Sequence, residues 1–347
     1  QSFRQTPGME TDGGGILIAG ADSFNLGALT AGAGRVQINK NLIQGNQAGA
    51  GDGAGIALRR VNGLDVEGTP DTVGDWWLVN VDNNTIVNNV AGYGGGAMSL
   101  KEAVRVNIRN NTMSNNESTA TAGAAFALGT IVDGNLVSDP QVAGIVSRPH
   151  EGLAGLIQIE DDLWRYNQGF SLPFLRNNII WQNRSRIYEL ATNSLVDPGG
   201  ATTPVYNDFS AGLIVTTAGQ KGLSRNNLMT ANVTGDHSSN ISGDPSFEAE
   251  YVNRAPGLNP AAGAEFQTIQ VSPALDEGGN WLDVRYAPLS INDIDKDIDG
   301  EQPSDYHLID NTSIAVNAGI NNRPNGNTDI DNDPRVLAND LGSDEVQ

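Results

Sequence analysis

Residues 79–118, VNVDNNTIVNNVAGYGGGAMSLKEAVRVNIRNNTMSNNES, contain one pattern twice. In each copy an alternating pair of apolar residues leads into Asn-x-h-x-x-Asn, where h is a large apolar residue. The leading asparagines, Asn84 and Asn111, are 27 residues apart, and a glycine-rich turn with an apolar stretch at residues 94–100 lies between them. Alternating apolar residues are typical of strands with one buried face, so each copy predicts short strands separated by turns.

The same pattern recurs along the first two-thirds of the chain. The five copies are Asn41/Ile43/Asn46, Asn84/Ile86/Asn89, Asn111/Met113/Asn116, Asn178/Ile180/Asn183 and Asn227/Met229/Asn232, with a sixth, degraded copy at Asn135/Val137. The small-residue turn with its apolar strand recurs at residues 13–18, 53–58, 94–100 and 123–128. Three short strands in a repeat of roughly 20 to 30 residues predict the coil of a parallel β-helix, an all-β solenoid.

The asparagines have a structural explanation. Their amides tolerate left-handed backbone geometry and form hydrogen bonds to the coils above and below, so we expect asparagine ladders along the axis of the solenoid. Inward Ile, Val, Leu and Met should stack in the same way. These ladders account for most of the asparagines without a ligand.

The intervals between repeats define the predicted organisation. Long intervals place excursions near residues 59–77, 138–172 and 184–221 of a β-helix that spans residues 1–244. Residues 245–347 are predicted to be an acidic, loop-rich C-terminal cap packed on the helix. Because a coil element already starts at residue 13, we expect further sequence or another protein subunit to cover the N-terminal coil, since an uncovered sheet edge favours aggregation.

Composition excludes several classes of function. The chain has 347 residues and a formal net charge of -21, so nucleic acid and anionic membranes would be repelled over most of its surface. It has no cysteine, which rules out disulfides, thiolate metal sites and a cysteine nucleophile. No run of about 18 apolar residues is present, so no transmembrane helix is predicted.

The repeats over residues 13–240 resemble the right-handed parallel β-helix proteins of the pectate-lyase-like superfamily. The resemblance is more specific in the C-terminal residues. Residues 272–278, SPALDEG, are similar to the Ser-Pro-Ala-h-Asp-x-Gly element of large bacterial surface proteins with this fold, and residues 313–319 look like a second copy. Residues 329–345 resemble the Asp-x-Asp-Gly-x-x-Arg...Asp-h-Gly-Ala-x-Glu ending of the same group. The resemblance implies export and an extracellular or cell-surface location, but no single activity, because the superfamily includes lyases, hydrolases, adhesins and scaffolds.

An acidic loop in the predicted cap suggests a structural calcium ion. Carboxylates alternate before Gly300, as they do in calcium loops where oxygens at positions 1, 3 and 5 converge on a hard cation. The candidate ligands are Asp295, Asp297, Asp299, Glu301 and Asp305, with Asp310 as an alternative to Asp305. A merely solvated acidic loop is the competing interpretation. A second group, Asp329, Asp331 and Asp333, lacks the glycine and favours the solvated interpretation.

Catalytic candidates are weak. Glu160, Asp161 and Asp162, near Trp164, are the best paired carboxylates for glycoside hydrolysis. Basic residues that a pectate-lyase mechanism would need cluster on neighbouring repeats, at Arg59, Arg60, Lys101, Arg105 and Arg109. No recognisable pattern of acids alternates with them. The three histidines, His150, His237 and His307, are isolated in the sequence, and the default role of Trp76, Trp77 and Trp181 is packing.

Three function hypotheses follow. The first is a non-catalytic structural or interaction protein of the bacterial cell surface or of an extracellular assembly. The second is a polysaccharide lyase or glycoside hydrolase, and the third is a carbohydrate-binding adhesin. A groove of acids with an arginine on consecutive coils would favour an enzyme, and exposed aromatic residues on the excursions would favour an adhesin.

Overall fold

The computed structural model describes residues 12–20, 29–127, 130–132, 135–159, 166, 169–192, 194–200, 203–211, 224–230, 239–250, 305–320, 328–335 and 339–346. Four stacked sheets dominate the described chain. Successive strands along the sequence enter the four sheets in turn. The protein is therefore all-β and its strand pairing is mostly parallel, which is consistent with a β-helix or solenoid-like fold.

The strands of each sheet come from successive repeats. Sheet 1 contains Val36–Asn39, Val79–Asp82, Val106–Arg109, Phe174–Arg176 and Ser224–Arg225. Sheet 2 contains Leu42–Gln44, Thr85–Val87, Thr112–Ser114, Ile179–Trp181, Leu228–Met229 and Ile241–Ser242. Sheet 3 contains Gln47–Ala48, Val90–Ala91, Glu117–Ser118, Arg184–Ser185 and Val205–Tyr206, the last pairing antiparallel. Sheet 4 contains Ile16–Ala19, Ile56–Arg59, Met98–Lys101, Ile145–Ser147 and Phe209–Ala211.

The remaining elements lie outside these stacks. A four-stranded antiparallel sheet is formed by Thr130–Val132, Asn135–Val137, Ile187–Glu189 and Ser194–Val196, and Phe247–Ala249 pairs antiparallel with Asp305–Leu308. The described α-helices are Leu64–Gly68 and Gly123–Ala127, and 3-10 helices span Val73–Asp75 and Pro198–Gly200.

The core follows directly from the repeat. The apolar residue between the two asparagines of each copy points inward, and all five of these residues are at most 5% exposed: Ile43, Ile86, Met113, Ile180 and Met229. In sheet 1, Ile38, Val81 and Ile108 are register partners and are equally buried. Burying one such side chain stabilises the fold by about 1.5–3 kcal/mol relative to leaving it in water. The stacking of inward apolar residues is confirmed.

The asparagine ladders are also confirmed. In the first ladder, Asn84 donates from its backbone nitrogen and from Nδ2 to Asn111 Oδ1, both at 3.0 Å. The same contacts link Asn41, Asn84, Asn111, Asn178, Asn227 and Asn240, and a second ladder links Asn46, Asn89, Asn116 and Asn183. Each amide thus satisfies buried polar groups of the neighbouring repeat.

The residue with left-handed backbone geometry is not the ladder asparagine, as the sequence predicted, but its neighbour. In the first ladder, the left-handed residue is the one immediately before the ladder asparagine, from Asn41 to Asn227. Lys40, Asn83 and Asn110 have φ of 56°, 55° and 53°, and the ladder asparagines that follow them do not have positive φ. One residue therefore makes the turn, and the next supplies the amide.

Three local predictions were wrong. Each repeat enters four sheets, not three, because a two-residue strand such as Gln47–Ala48 follows the second asparagine. The segment 123–128 was predicted to be a strand, but Gly123–Ala127 is a short helix, as its three alanines favour. The degraded repeat at Asn135 belongs to an antiparallel hairpin, so the chain runs from Asn111 to Asn178 within one repeat.

The intervals predicted to be excursions contain strands of the main sheets. Ile145–Ser147, within 138–172, belongs to sheet 4, and Arg184–Ser185 and Phe209–Ala211, within 184–221, belong to sheets 3 and 4. The interval 59–77 contains the helix Leu64–Gly68.

The described C-terminal segments form a layer on the outer face of sheet 2. We call residues 305–320, 328–335 and 339–346 the C-terminal layer. Val87, Ile179, Trp181 and Leu228 of sheet 2 pack with a cluster of buried layer residues that comprises Tyr306, Leu308, Ala315 and Leu341. The layer thus lies along the side of the stacked repeats.

Candidate functional site

The basic residues on neighbouring repeats are engaged by acidic residues of the protein. Arg59 Nη1 lies 3.7 Å from Asp12 Oδ2, and Lys101 Nζ lies 2.8 Å from Glu151 Oε1. Arg109 forms a bidentate pair with Asp82, with both contacts at 2.8 Å. These charges hold neighbouring repeats and loops together.

The other two basic residues are also in contact with the chain. Arg60 is 1% exposed and its Nε lies 3.7 Å from Glu102 Oε2. Arg105 donates from Nη1 to the carbonyls of Gly74 at 2.9 Å and Trp76 at 3.0 Å. A lyase base must reach a substrate. Arg60 is instead buried within the repeats, and Arg105 binds backbone carbonyls of the first excursion.

The weak catalytic candidates Glu160, Asp161 and Asp162 lie outside the described residues. Trp76, for which packing was the default prediction, is described and packs inside the fold. Trp76 is fully buried, donates from Nε1 to Thr69 O at 2.7 Å, and meets Tyr166 edge-to-face at 5.6 Å. These contacts leave no free ring face at Trp76 for a sugar.

Of the five candidate calcium ligands the structure describes Asp305, and it also describes the alternative, Asp310. Asp295, Asp297, Asp299 and Glu301 lie outside the described residues, and Asp305 begins the strand Asp305–Leu308. Asp305 Oδ1 accepts a hydrogen bond from His307 N at 3.0 Å and also contacts His307 Nδ1. Asp305 therefore positions an imidazole.

His307 belongs to a cluster that the sequence did not reveal. Its Nε2 lies 2.8 Å from Asp331 Oδ2, and one ligand atom from each of His307, Asp331 and Asp344 lies within 4.8 Å of the others. The hydrogen bond that the Asp305 carboxylate accepts is the largest cause that raises the pKa of His307 to about 10, with further contributions from Asp344 and Asp331. We call His307, Asp331 and Asp344 the histidine–aspartate cluster.

The rest of the acidic terminal motif is used internally. Asp329 Oδ1 accepts from the backbone nitrogens of Asp331 and Asp333, and its Oδ2 accepts from Glu345 N at 3.1 Å. Arg335, only 3% exposed, contacts Glu345 Oε2 at 3.1 Å. The motif is therefore a buried network that folds the layer.

The same network attaches the layer to the repeats. Arg335 Nη2 donates to Asn83 Oδ1 at 3.1 Å, and Ser343 N donates to Thr112 Oγ1 at 3.1 Å. Gly342 has φ of +91°, and a Cβ there would lie 2.6 Å from Thr112 Oγ1. This close approach explains why the motif has glycine at that position.

Among the buried titratable groups of the described repeats, Asp208 and His150 have pKa values that burial shifts strongly. Asp208 ends the second asparagine ladder, where its Oδ1 accepts from Asn183 Nδ2 at 3.0 Å, and burial raises its pKa to about 6. The predicted ladder residue Asn232 lies outside the described residues. Burial lowers the pKa of His150 to about 4, and neither ring nitrogen has a hydrogen-bond partner in the described structure. In both groups, burial makes the charged form less favourable than it is in water.

Sequence reasoning missed His307 because its partners are distant along the chain. Asp331 and Asp344 are 24 and 37 residues away from it in sequence, and they meet it only because the layer folds back on itself. The acidic character of both segments was the only available signal.

Comparisons of the chain with protein-family models, with curated proteins and with solved structures find no match. The class that the structure defines is an all-β protein of stacked, mainly parallel sheets. Both described α-helices are five residues long, and no helix in the described ranges has the length and apolar character of a membrane span.

Proposed function

We propose that the chain is a right-handed parallel β-helix of the pectate-lyase-like type that acts as a non-catalytic structural or interaction protein. Its proposed location is the bacterial cell surface or an extracellular assembly. The in-register parallel sheets and the two asparagine ladders support this architecture. A rigid body of this kind suits display and spacing.

The observation that carries the proposal is the use of the basic side chains. Arg59, Arg60, Lys101, Arg105 and Arg109 all contact groups of the protein itself. A lyase would need at least one of these groups free beside bound polysaccharide. Their structural use favours the non-catalytic role over the lyase alternative.

The test is incubation of the purified chain with calcium and a panel of acidic and neutral polysaccharides. Unsaturated products, reducing ends and co-sedimentation are measured together. We expect none of the three signals. Cleavage would overturn the proposal in favour of a lyase or hydrolase, and Asp161→Asn and Glu160→Gln would then be compared with Glu151→Gln, whose carboxylate pairs with Lys101. Binding without cleavage would replace it with a carbohydrate-binding adhesin.

We also propose that a second copy of the chain covers the N-terminal edge of the sheets. In the described structure, the first strands of sheets 1, 2 and 3 each have a strand neighbour on one side, and Leu42 in this edge is 38% exposed. Strands at the edge of a sheet favour association with another chain. Sedimentation velocity should show concentration-dependent association that Leu42→Glu weakens and Leu64→Glu, on the first excursion, does not. A monomer at every concentration would contradict this contact.

A further inference from the structure

We propose that the histidine–aspartate cluster binds one divalent transition-metal ion of the zinc type, which ties the three parts of the C-terminal layer together. The three ligands come from separate segments: His307 from the strand Asp305–Leu308, Asp331 from residues 328–335, and Asp344 from residues 339–346. The inference goes beyond the proposed function, since a structural protein needs no metal.

The spacing of the ligand atoms suits such an ion. One nitrogen and two carboxylate oxygens lie within 4.8 Å of one another. Metal–ligand bonds of about 2.0–2.2 Å in a tetrahedral site place ligand atoms roughly 3.3–3.6 Å apart. Small rotations of exposed side chains are enough to close this difference, because the side chains of His307 and Asp331 are 46% and 51% exposed.

The chemistry of the donors selects the class of ion. Calcium and magnesium prefer sets of oxygen ligands, whereas an imidazole suits zinc, copper, nickel and iron. An imidazole with two carboxylates therefore favours a transition metal. This differs from the calcium ion predicted for the loop at Asp295, of which only Asp305 is described.

Asp305 supplies a feature typical of metal-bound histidine. It contacts Nδ1 of His307, on the opposite side of the ring from Nε2, which faces Asp331. A carboxylate on the second ring nitrogen fixes the orientation of a ligand histidine and increases its basicity. Asp305 would thus act as a positioning residue, outside the set of direct ligands.

The local charge also favours a cation. Asp329, Asp340, Asp344 and Glu345 are buried in the layer, and Arg335 is the basic residue that the described structure places among them. Asp331 and Asp305 add two more carboxylates beside His307. A divalent ion would offset part of this excess of negative charge.

The competing explanation is an imidazolium held by the aspartates without metal. Binding of Zn²⁺ and of Co²⁺ to the full chain, freed of metal by chelator, separates the two by equilibrium dialysis and by the visible absorption of Co²⁺. We expect one ion per chain, retained in a thousand-fold excess of Ca²⁺, and an absorption band typical of nitrogen and oxygen ligands. Absence of stoichiometric binding would overturn the proposal.

Variants locate the site. His307→Gln and Asp331→Asn should each weaken Co²⁺ binding at least 10-fold and remove the band, whereas Asp333→Asn, an exposed acid of the same loop, should leave both unchanged. Circular dichroism checks that each variant is folded. Binding that persists in His307→Gln, or that is lost equally in Asp333→Asn, would place the ion elsewhere and overturn the assignment. Zn²⁺ should also raise the melting temperature of the wild type and not that of His307→Gln.

Discussion

Replacing a ladder asparagine in the interior should cost far more than replacing one at the end. Asn116 is fully buried, and its side chain takes part in five hydrogen bonds. Its Oδ1 accepts from Asn89 N at 3.0 Å and from Asn89 Nδ2 at 2.9 Å, and its Nδ2 donates to Ile86 O at 2.9 Å, Ser114 O at 3.2 Å and Asn183 Oδ1 at 2.9 Å. Asn116→Ala therefore removes side-chain contacts to the repeats on both sides and leaves Asn89 N without its ladder acceptor.

The magnitude follows from these contacts. One buried polar group left unsatisfied costs about 1–3 kcal/mol, and Asn116→Ala affects at least the backbone nitrogen of Asn89 and the carbonyl of Ile86. We expect a loss of about 3–5 kcal/mol in the free energy of unfolding. The Asn46 side chain is partly exposed and donates to Gln44 O at 3.3 Å and Asn89 Oδ1 at 2.9 Å, so Asn46→Ala should cost about 1 kcal/mol.

The assay is equilibrium unfolding in guanidinium chloride, followed by far-ultraviolet circular dichroism at pH 7. Both variants should keep the slope of the transition, and the midpoint should fall much further for Asn116→Ala. Equal midpoints for the two variants, or a loss below about 1 kcal/mol for Asn116→Ala, would show that the ladder does not stabilise the fold as argued.

Three further predictions concern buried charge. Because burial raises the pKa of Asp208 from 3.8 to about 6, its contribution to stability is full below pH 3.8 and is lost as pH rises through 6. From this group, the free energy of unfolding should drop by about 2.5 kcal/mol between pH 4 and pH 7. Urea unfolding of Asp208→Asn should show a smaller drop, and an unchanged pH dependence would contradict the assignment. Burial lowers the pKa of His150 from 6.5 to about 4, so its effect on stability has the opposite pH dependence. Its contribution to stability is lost as pH falls from 6.5 to 4. His150→Leu should therefore reduce acid destabilisation by about 3 kcal/mol in the same titration. Glu117 and Arg186 form a buried pair at 2.9 Å, so Glu117→Gln should cost about 3–5 kcal/mol by thermal or chemical unfolding, and the double variant with Arg186→Met should cost less. A double variant as unstable as the single one would show that lost packing, rather than the buried charge of Arg186, sets the cost.

The regular part of the fold was predictable because its information is local. Each copy of Asn-x-h-x-x-Asn specifies one inward apolar residue and two ladder amides, as at Ile86 with Asn84 and Asn89. The two-residue strands of sheet 3 were missed since alternation cannot be recognised over two residues. The alanine-rich segment at Gly123–Ala127 has a composition that suits both a small-residue turn and a helix, and its helical propensity prevailed.

The candidate site was less predictable because it depends on contacts between distant segments. Asp208 replaces an asparagine at the end of a ladder although nothing in its own segment resembles the repeat. Asp305, predicted to be a calcium ligand, contacts His307, a residue that the calcium prediction did not involve. Asp329 and Asp331 look equivalent in sequence, yet Asp329 turns inward to Glu345 and Asp331 faces His307.

The C-terminal layer changes how the stack of repeats should unfold. In a simple repeat array, each unit contacts only its neighbours, so terminal units fray first and cooperativity decays with length. Here Lys40 Nζ donates to Thr328 Oγ1 at 2.6 Å, and toward the other end of the described stack Asn226 Nδ2 donates to Ala318 O at 3.4 Å. One layer therefore bridges the repeat at Lys40 and the repeat at Asn226. We expect native-state hydrogen exchange to show similar protection for sheet 2 amides from end to end, and a gradient that rises toward the middle would mean that the repeats open independently.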